Sequence, residues 1–150
     1  SGPRIDKVYA LEASIRRRLI EVFIEEFGDS RVEGDFTFFD GTEDATTLWM
    51  DAFYQERYGT SPYQVFGADV SHSMASWPNT SENQKYLLNE LPKIFFSRPG
   101  VDLKLDDKWS YEVIDAPIPD ASSTLVREAW RIDLLTEKVR AEYLRILPKV

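Results

Sequence analysis

The stretch VDLKLDDKWSYEV, residues 101–113, decides the fold in this sequence. Val101, Leu103 and Leu105 alternate with polar residues, and so do Trp109, Tyr111 and Val113, which is the period-two pattern of half-buried strands. Asp106-Asp107 between the two triplets marks a turn. A two-residue loop would pair Lys104 with Trp109 and set the two apolar triplets on opposite faces. A three-residue loop ending at Lys108 pairs Leu105 with Trp109 and Leu103 with Tyr111, so that both triplets share one face. The spacing therefore predicts a hairpin with the longer loop, and with it an antiparallel or mixed sheet.

Working outward, Tyr63 to Val70 follows a Gly-Thr-Ser-Pro turn and reads as a strand, as does Phe36-Thr37-Phe38-Phe39 between Gly34 and Asp40-Gly41. Val8, Leu11, Ile15, Leu19, Val22 and Phe23 recur at helical spacing and predict a first helix from Ile5 to Phe27, stopped by Gly28. Thr42 with Glu43 and Asp44 marks a helix start, and Arg57 before Gly59 a stop, so 42–58 reads as a helix with Ala45, Leu48, Trp49, Ala52 and Phe53 inward. A strand is the rival there, because TTLWMDAFY is β-rich. Ser81-x-x-Gln84 resembles a capping box for a helix to Leu91, ended by Pro92. Ala116 to Ser123 is an extended connector. A long last helix is expected over Thr124 to Leu147, with a strand through Val126, Trp130, Ile132 and Leu134 as the rival for its first half. The pattern predicts one α+β domain over residues 1–150, its antiparallel or mixed sheet packed with long N-terminal and C-terminal helices.

Composition bounds the chemistry. The chain has 150 residues, 43% of them hydrophobic and 13% aromatic, enough for a real core in one domain. It has no Cys and one His, which excludes disulfide scaffolds, Cys-ligated zinc, iron–sulfur clusters, thiol catalysis and His-rich metal sites. Eighteen Lys and Arg stand against 26 Asp and Glu, a net charge of −8. Residues 29–120 hold seven basic and seventeen acidic groups, between ends that are close to neutral. General nucleic-acid binding, which needs a basic stripe, is not expected. Arg16-Arg17-Arg18 is the one basic cluster, but its members point about 100° apart on a helix, so it reads as a solvated face with one Arg pairing Glu12 or Glu21. No run reaches the roughly 18 apolar residues of a membrane span, and the first residues lack a secretory signal's apolar segment. The expected location is the cytoplasm, or a particle assembled there.

Several short motifs touch on catalysis. Asp40-Gly41-Thr42-Glu43-Asp44 is similar to a calcium loop, but Ala45 stands where the turn needs Gly and Asp51 where a bidentate Glu belongs. Asp102-Leu-Lys104 matches the D-x-K of metal nucleases, which need a further carboxylate such as Asp35, Asp40 or Asp115. Gly28-Asp29-Ser30 resembles the nucleophile block of GDSL-type hydrolases, and Asp69-Val70-Ser71-His72 resembles their terminal D-x-x-H block. That resemblance covers seven residues and implies Ser30 as nucleophile, His72 as base and Asp69 as its orienter. It departs from the family in that Ser30 follows a charged helix end rather than a buried strand, and 78 residues follow His72. Phosphate-binding glycine motifs and H-E-x-x-H are missing from the sequence. No cofactor or metal is expected, and the balance of the sequence is against an enzyme.

A surface is the better candidate. On a helix over 42–58, Met50, Tyr54 and Tyr58 form a second stripe opposite the inward face, with Tyr63 adjoining and Trp77 in a polar loop. Met and Tyr are favoured interface anchors. The alternative is that these aromatics cover the edge of the core. The expected function is a non-enzymatic protein–protein interaction or assembly subunit, binding a protein partner or copies of itself. A helix, a β-rich middle and a last helix are similar in architecture to small virus tail or neck subunits. The alternative is an acidic inhibitor or immunity-type protein that covers a basic site on its partner. A small hydrolase is the weaker one.

Overall fold

A computed structural model describes residues 11–37, 46–116 and 119–147. In chain order the helices are α1 (Ala13–Phe27), α2 (Thr47–Tyr58), α3 (Ser81–Asn89), α4 (Ser123–Glu128) and α5 (Glu137–Ile146), and the strands are β1 (Gln64–Gly67), β2 (Lys93–Phe96) and β3 (Glu112–Ile114). The chain divides into two compact units, one of Ser1–Ala45 with Ala121–Val150 and the other of Thr46–Asp120.

The unit Thr46–Asp120 is an α+β layer built on a three-stranded, all-parallel sheet in the order β1-β2-β3. Gln64, Val65, Phe66 and Gly67 register with Lys93, Ile94, Phe95 and Phe96. Ile94, Phe95 and Phe96 register in turn with Glu112, Val113 and Ile114. Two 3₁₀ turns, Ala68–His72 and Met74–Ser76, and then α3 carry the chain from β1 to β2. Thr80 caps α3 by accepting from the Asn83 N–H at 3.2 Å. The cap is thus one residue earlier than the Ser81-x-x-Gln84 pattern suggests. Gln84 instead donates to the Met74 and Ala75 carbonyls and ties the 3₁₀ turn to the helix.

The expected antiparallel hairpin is not formed: β3 runs parallel to β2, and residues 102–111 are not strand. The turn itself is present, with Trp109 N–H on the Asp106 carbonyl and Lys108 N–H on the Asp106 carboxylate, both at 2.9 Å. Its arms bond elsewhere. Lys104 N–H donates to Ser71 Oγ, Ser110 N–H to the Leu88 carbonyl, and His72 Nε2 to the Asp102 carbonyl. Leu103, Leu105, Trp109 and Tyr111 still pack together, against the fully buried Met74, Leu87, Leu91 and Phe95. Alternation reports which side chains go inward and is silent on which strand supplies the hydrogen bonds.

In the other unit, α1 ends at Gly28, whose φ of 71° is the left-handed C-cap that glycine tolerates. Residues 5–10 of the expected first helix lie outside the described residues, and Leu11 and Glu12 precede α1. Phe36 and Thr37 are not strand; Asp35 accepts from Thr37 N–H and Oγ1 in a local turn, while Phe38 and Phe39 lie outside the described residues.

The long C-terminal helix is also corrected, because it is broken into α4, a 3₁₀ turn at Ile132–Leu134, and α5. Ser122 caps α4, and the chain leaves it through Trp130 at φ 54°. Arg140 then satisfies two carbonyls of the turn, Ile132 at 3.0 Å and Leu135 at 3.1 Å. At the start of α5, Thr136 does not cap with its own side chain; Glu26 of α1 accepts the Lys138 N–H at 3.1 Å instead. Hydrogen bonds from Thr136 and from the Lys138 backbone hold the Glu26 carboxyl below its ordinary range. A carboxylate from another helix at an N-terminus satisfies an orphan donor and suits the helix dipole. α1 packs on α5, with Val22, Val139 and Tyr143 buried in this unit.

Candidate functional site: an open sheet face

Registered residues of a parallel sheet point to the same side, so the pairing sorts the side chains into two faces. Gln64, Phe66, Lys93 and Phe95 share one face, and Phe66 and Phe95 meet there with ring centroids 5.8 Å apart. Both connections pack on that face, since α3 supplies Leu87 and Leu91 and the β2–β3 connection supplies Leu103, Leu105, Trp109 and Tyr111 to one cluster with Phe95, although Val113 at the β3 edge stays 42% exposed. Steps from β1 to β2 to β3 in one direction, with crossovers of one hand, put both connections on one side.

The opposite face carries Val65, Ile94, Phe96 and Ile114, with Glu112 registered beside Ile94. Val65 is 59% exposed and Ile114 38%. Tyr63 precedes β1 in the same alternation, is exposed, and brings its hydroxyl to 3.4 Å from Glu112 Oε1. Ile94 and Phe96 on the central strand are part-buried, so the accessible apolar groups of this face are Tyr63, Val65 and Ile114; parallel sheets are ordinarily buried on both faces, and such exposure is unusual.

Two charged groups are buried in this unit, Lys93 with its ammonium fully bonded and Asp51 with only one of its oxygens, Oδ2, bonded among the described residues. Lys93 is fully buried, and its Nζ donates to the carbonyls of Leu87 at 2.6 Å, Leu91 at 2.8 Å and Leu88 at 3.0 Å. It serves as the C-terminal cap of α3, whose last carbonyls lack intrahelical donors. Burial pushes its ammonium down to about 8. Asp51, 3% exposed, accepts at Oδ2 from Tyr86 Oη at 2.7 Å and Gln55 Nε2 at 3.1 Å, which fastens α2 to α3. Burial pushes the Tyr86 hydroxyl up; a bond with Ser61 opposes that shift and the Asp51 carboxylate adds to it.

The five candidate contact residues separate in this frame. The 47–58 segment is the helix α2, with Thr46 as its cap and Gly59 as its left-handed stop, and the rival strand is not formed. Trp49 stacks on Phe53 at 5.7 Å, Tyr54 meets Phe53 edge-on at 5.1 Å, and Tyr54 stacks on Tyr58 at 5.9 Å. Met50 and Tyr54 are half-buried, and Tyr58 and Tyr63 are exposed. Trp77 lies edge-on to Phe66 at 6.3 Å and packs against the core. Only Tyr63 of the five adjoins the open face by its hydrogen bond. Val65 and Ile114 were not candidates, and the signal that would find them is the strand order rather than any residue type.

The catalytic motifs do not assemble within either unit. Ser30 belongs to one unit and Asp69 and His72 to the other. His72 donates Nε2 to the Asp102 carbonyl, and Asp69 stands 4.0 Å from Arg98, which also pairs Asp120 at 3.5 Å. Asp102 and Lys104 are exposed in an irregular segment, Asp115 accepts from Ser97 Oγ, Asp35 turns on Thr37, and Asp40 lies outside the described residues, as does the 40–44 loop. Among the described residues no group of three or more His, Cys, Asp or Glu is placed to hold a metal ion. Arg17 pairs Glu21 at 2.9 Å, as its spacing suggests, and Arg18 pairs Glu142 at 3.2 Å.

No protein-family model matches the chain, and no curated protein matches it in sequence. The functional reading therefore rests on the site alone. Among the described residues no helix is long and apolar enough to cross a membrane.

Proposed function

We propose that this chain is a non-enzymatic protein-binding or assembly subunit, acting in the cytoplasm or in a particle assembled there, and that the open sheet face with Tyr63 is its contact surface. The observation that carries the reading is topological. Both connections of the parallel sheet pack on one side, and the other side presents aliphatic and aromatic groups to solvent. Exposed aromatic and aliphatic groups with charge beside them, as Tyr63, Val65 and Ile114 stand with Glu112, are common in protein contacts. The acidic excess of Thr46–Asp120, eleven acidic against six basic residues with Lys93 buried, favours a basic partner.

The test is a pair of surface variants, Tyr63→Glu and Val65→Asp, followed by thermal melts and by absolute mass from light scattering at low and high salt. On this reading both variants fold with stability within about 0.5 kcal/mol of the parent, as exposed positions do. Loss of the thermal transition, or a destabilisation of several kcal/mol, would instead make the face part of the chain's own core and refute the proposal.

A further inference from the structure

Resting on that reading, we infer that the open face seats an amphipathic α-helix of a partner protein, apolar along one side and carrying Lys or Arg at the edge that meets Glu112. Three observations lead there. First, the covers that parallel sheets take are helices, as α3 is on the other face, and the β1-β2-β3 order leaves this face without one from its own connections. Second, the dimensions fit. Three strands about 4.8 Å apart and about 3.3 Å per residue make a face roughly 10 by 13 Å, which is the width of one helix and the length of two to three turns.

Third, the charge is one-sided. Glu112 lies in the face itself, and among the described residues its carboxylate accepts the long hydrogen bond from Tyr63. Asp115 flanks Ile114 at the carboxyl end of β3. The basic group at that end, Arg98, already lies between Asp69 and Asp120. A helix with an apolar stripe alone would leave Glu112 desolvated beside it without a charged partner, which is costly, whereas a Lys or Arg at that edge turns the same group into a specificity contact. A second copy of this chain is the less suitable occupant, because at a net charge of −8 it adds repulsion where attraction is required.

The probe is a fluorescein-labelled synthetic peptide with Leu at i, i+3, i+4 and i+7 and Lys elsewhere, titrated with the full chain, against a peptide of the same Leu pattern with Glu for Lys. The Leu/Lys peptide should bind at least about tenfold tighter than the Leu/Glu peptide and gain helical circular dichroism on binding. Val65→Asp should weaken it by about tenfold, although the added negative charge would strengthen a purely Coulombic contact. Glu112→Lys should shift the preference toward the Leu/Glu peptide. Binding that Val65→Asp leaves unchanged, binding in an extended form, or no binding by either peptide overturns the proposal. So does a salt-stable dimer that Val65→Asp dissociates, which would assign the face to a second copy. A folded Val65→Asp protein with no peptide binding in the parent removes only the helical partner, while an unfolded one removes the contact surface as well.

Discussion

Replacing Lys93 with Met tests how the core of the sheet unit is held. The side chain is fully buried and its ammonium bonds three carbonyls, those of Leu87, Leu88 and Leu91. The Leu88 carbonyl keeps the Ser110 N–H at 3.0 Å, so the substitution strips donors from Leu87 and Leu91. Each stripped, buried acceptor costs about 1–3 kcal/mol. Against this stands relief of the buried charge. The difference between the ordinary 10.5 and about 8 amounts to roughly 3 kcal/mol against the protonated form. Met fills a similar volume, so no cavity term is added. The net expectation at pH 7 is a destabilisation of about 1 kcal/mol, read from urea unfolding followed by far-ultraviolet circular dichroism with an unchanged m-value. The pH dependence supplies a second readout. Between about 8 and 10.5 the unfolded chain still holds the Lys93 proton that the folded chain has released. The unfolded state then binds more protons, and this group's contribution makes stability rise with pH across that window. The difference curve, parent minus Lys93→Met, should therefore slope upward from pH 8 to 10. A Met variant more stable than the parent by about 2 kcal/mol or more, or a flat difference curve, would refute the assignment of Lys93 as a charged cap.

Three further outcomes follow from the same geometry. Tyr86→Phe removes the 2.7 Å donor to the buried Asp51 carboxylate and should cost about 1–3 kcal/mol in chemical unfolding, with the loss shrinking sharply in an Asp51→Ala background. Glu26→Gln should lower the melting temperature near neutral pH; because the folded carboxyl is held below the unfolded value of 4.5, the parent should lose this advantage as pH falls through that region while the Gln variant changes less. Trp130→Gly should change stability by less than about 1 kcal/mol, since relief of a left-handed φ of 54° is offset by loss of the buried half of the ring; a destabilisation of several kcal/mol would show that the ring packs more than its exposure suggests.

What the sequence reveals and what it hides divide along a physical line. Stops at Gly28 and Gly59 and the turn at Asp106 are local events, set by left-handed backbone and by side chains bonding two residues on, and they are legible from a few residues. Inward side chains were legible for a similar reason: Leu103, Leu105, Trp109 and Tyr111 go to the core whichever strand lies beside them. Strand partnership was not. A three-residue strand such as β3 carries no mark of direction, and its neighbour is chosen by how the longer connections close. The last helix was misread because Trp130 carries no turn signal, although Thr136-Glu137 does resemble a helix start. Tyr63 was visible as a candidate contact, whereas Val65 and Ile114 read as strand interior. Their exposure is a consequence of strand order and appears only once the faces are sorted.

On the proposed reading, that same topology limits how far the face favours self-association. The edge strands β1 and β3 are four and three residues long, too short to template a long intermolecular ladder. Glu112 interrupts the aliphatic row of the face, and the Tyr63 hydroxyl gives that carboxylate a neutral partner. Stability of the unit comes from the other side, where Phe95, Met74, Leu87 and Leu91 are fully buried and Lys93 and Asp51 lock the helices down. Covering Val65, Ile114 and Tyr63, each already part-buried, would add only about 1 kcal/mol apiece. A gain of that size is small against the cost of immobilising a partner, so affinity has to be completed by the charge pair at Glu112. A contact composed this way is reversible and sensitive to salt. Raising ionic strength should therefore weaken a Leu/Lys peptide more on the parent chain than on Glu112→Gln, which loses the charge within the face but keeps Asp115 and the acidic excess around it.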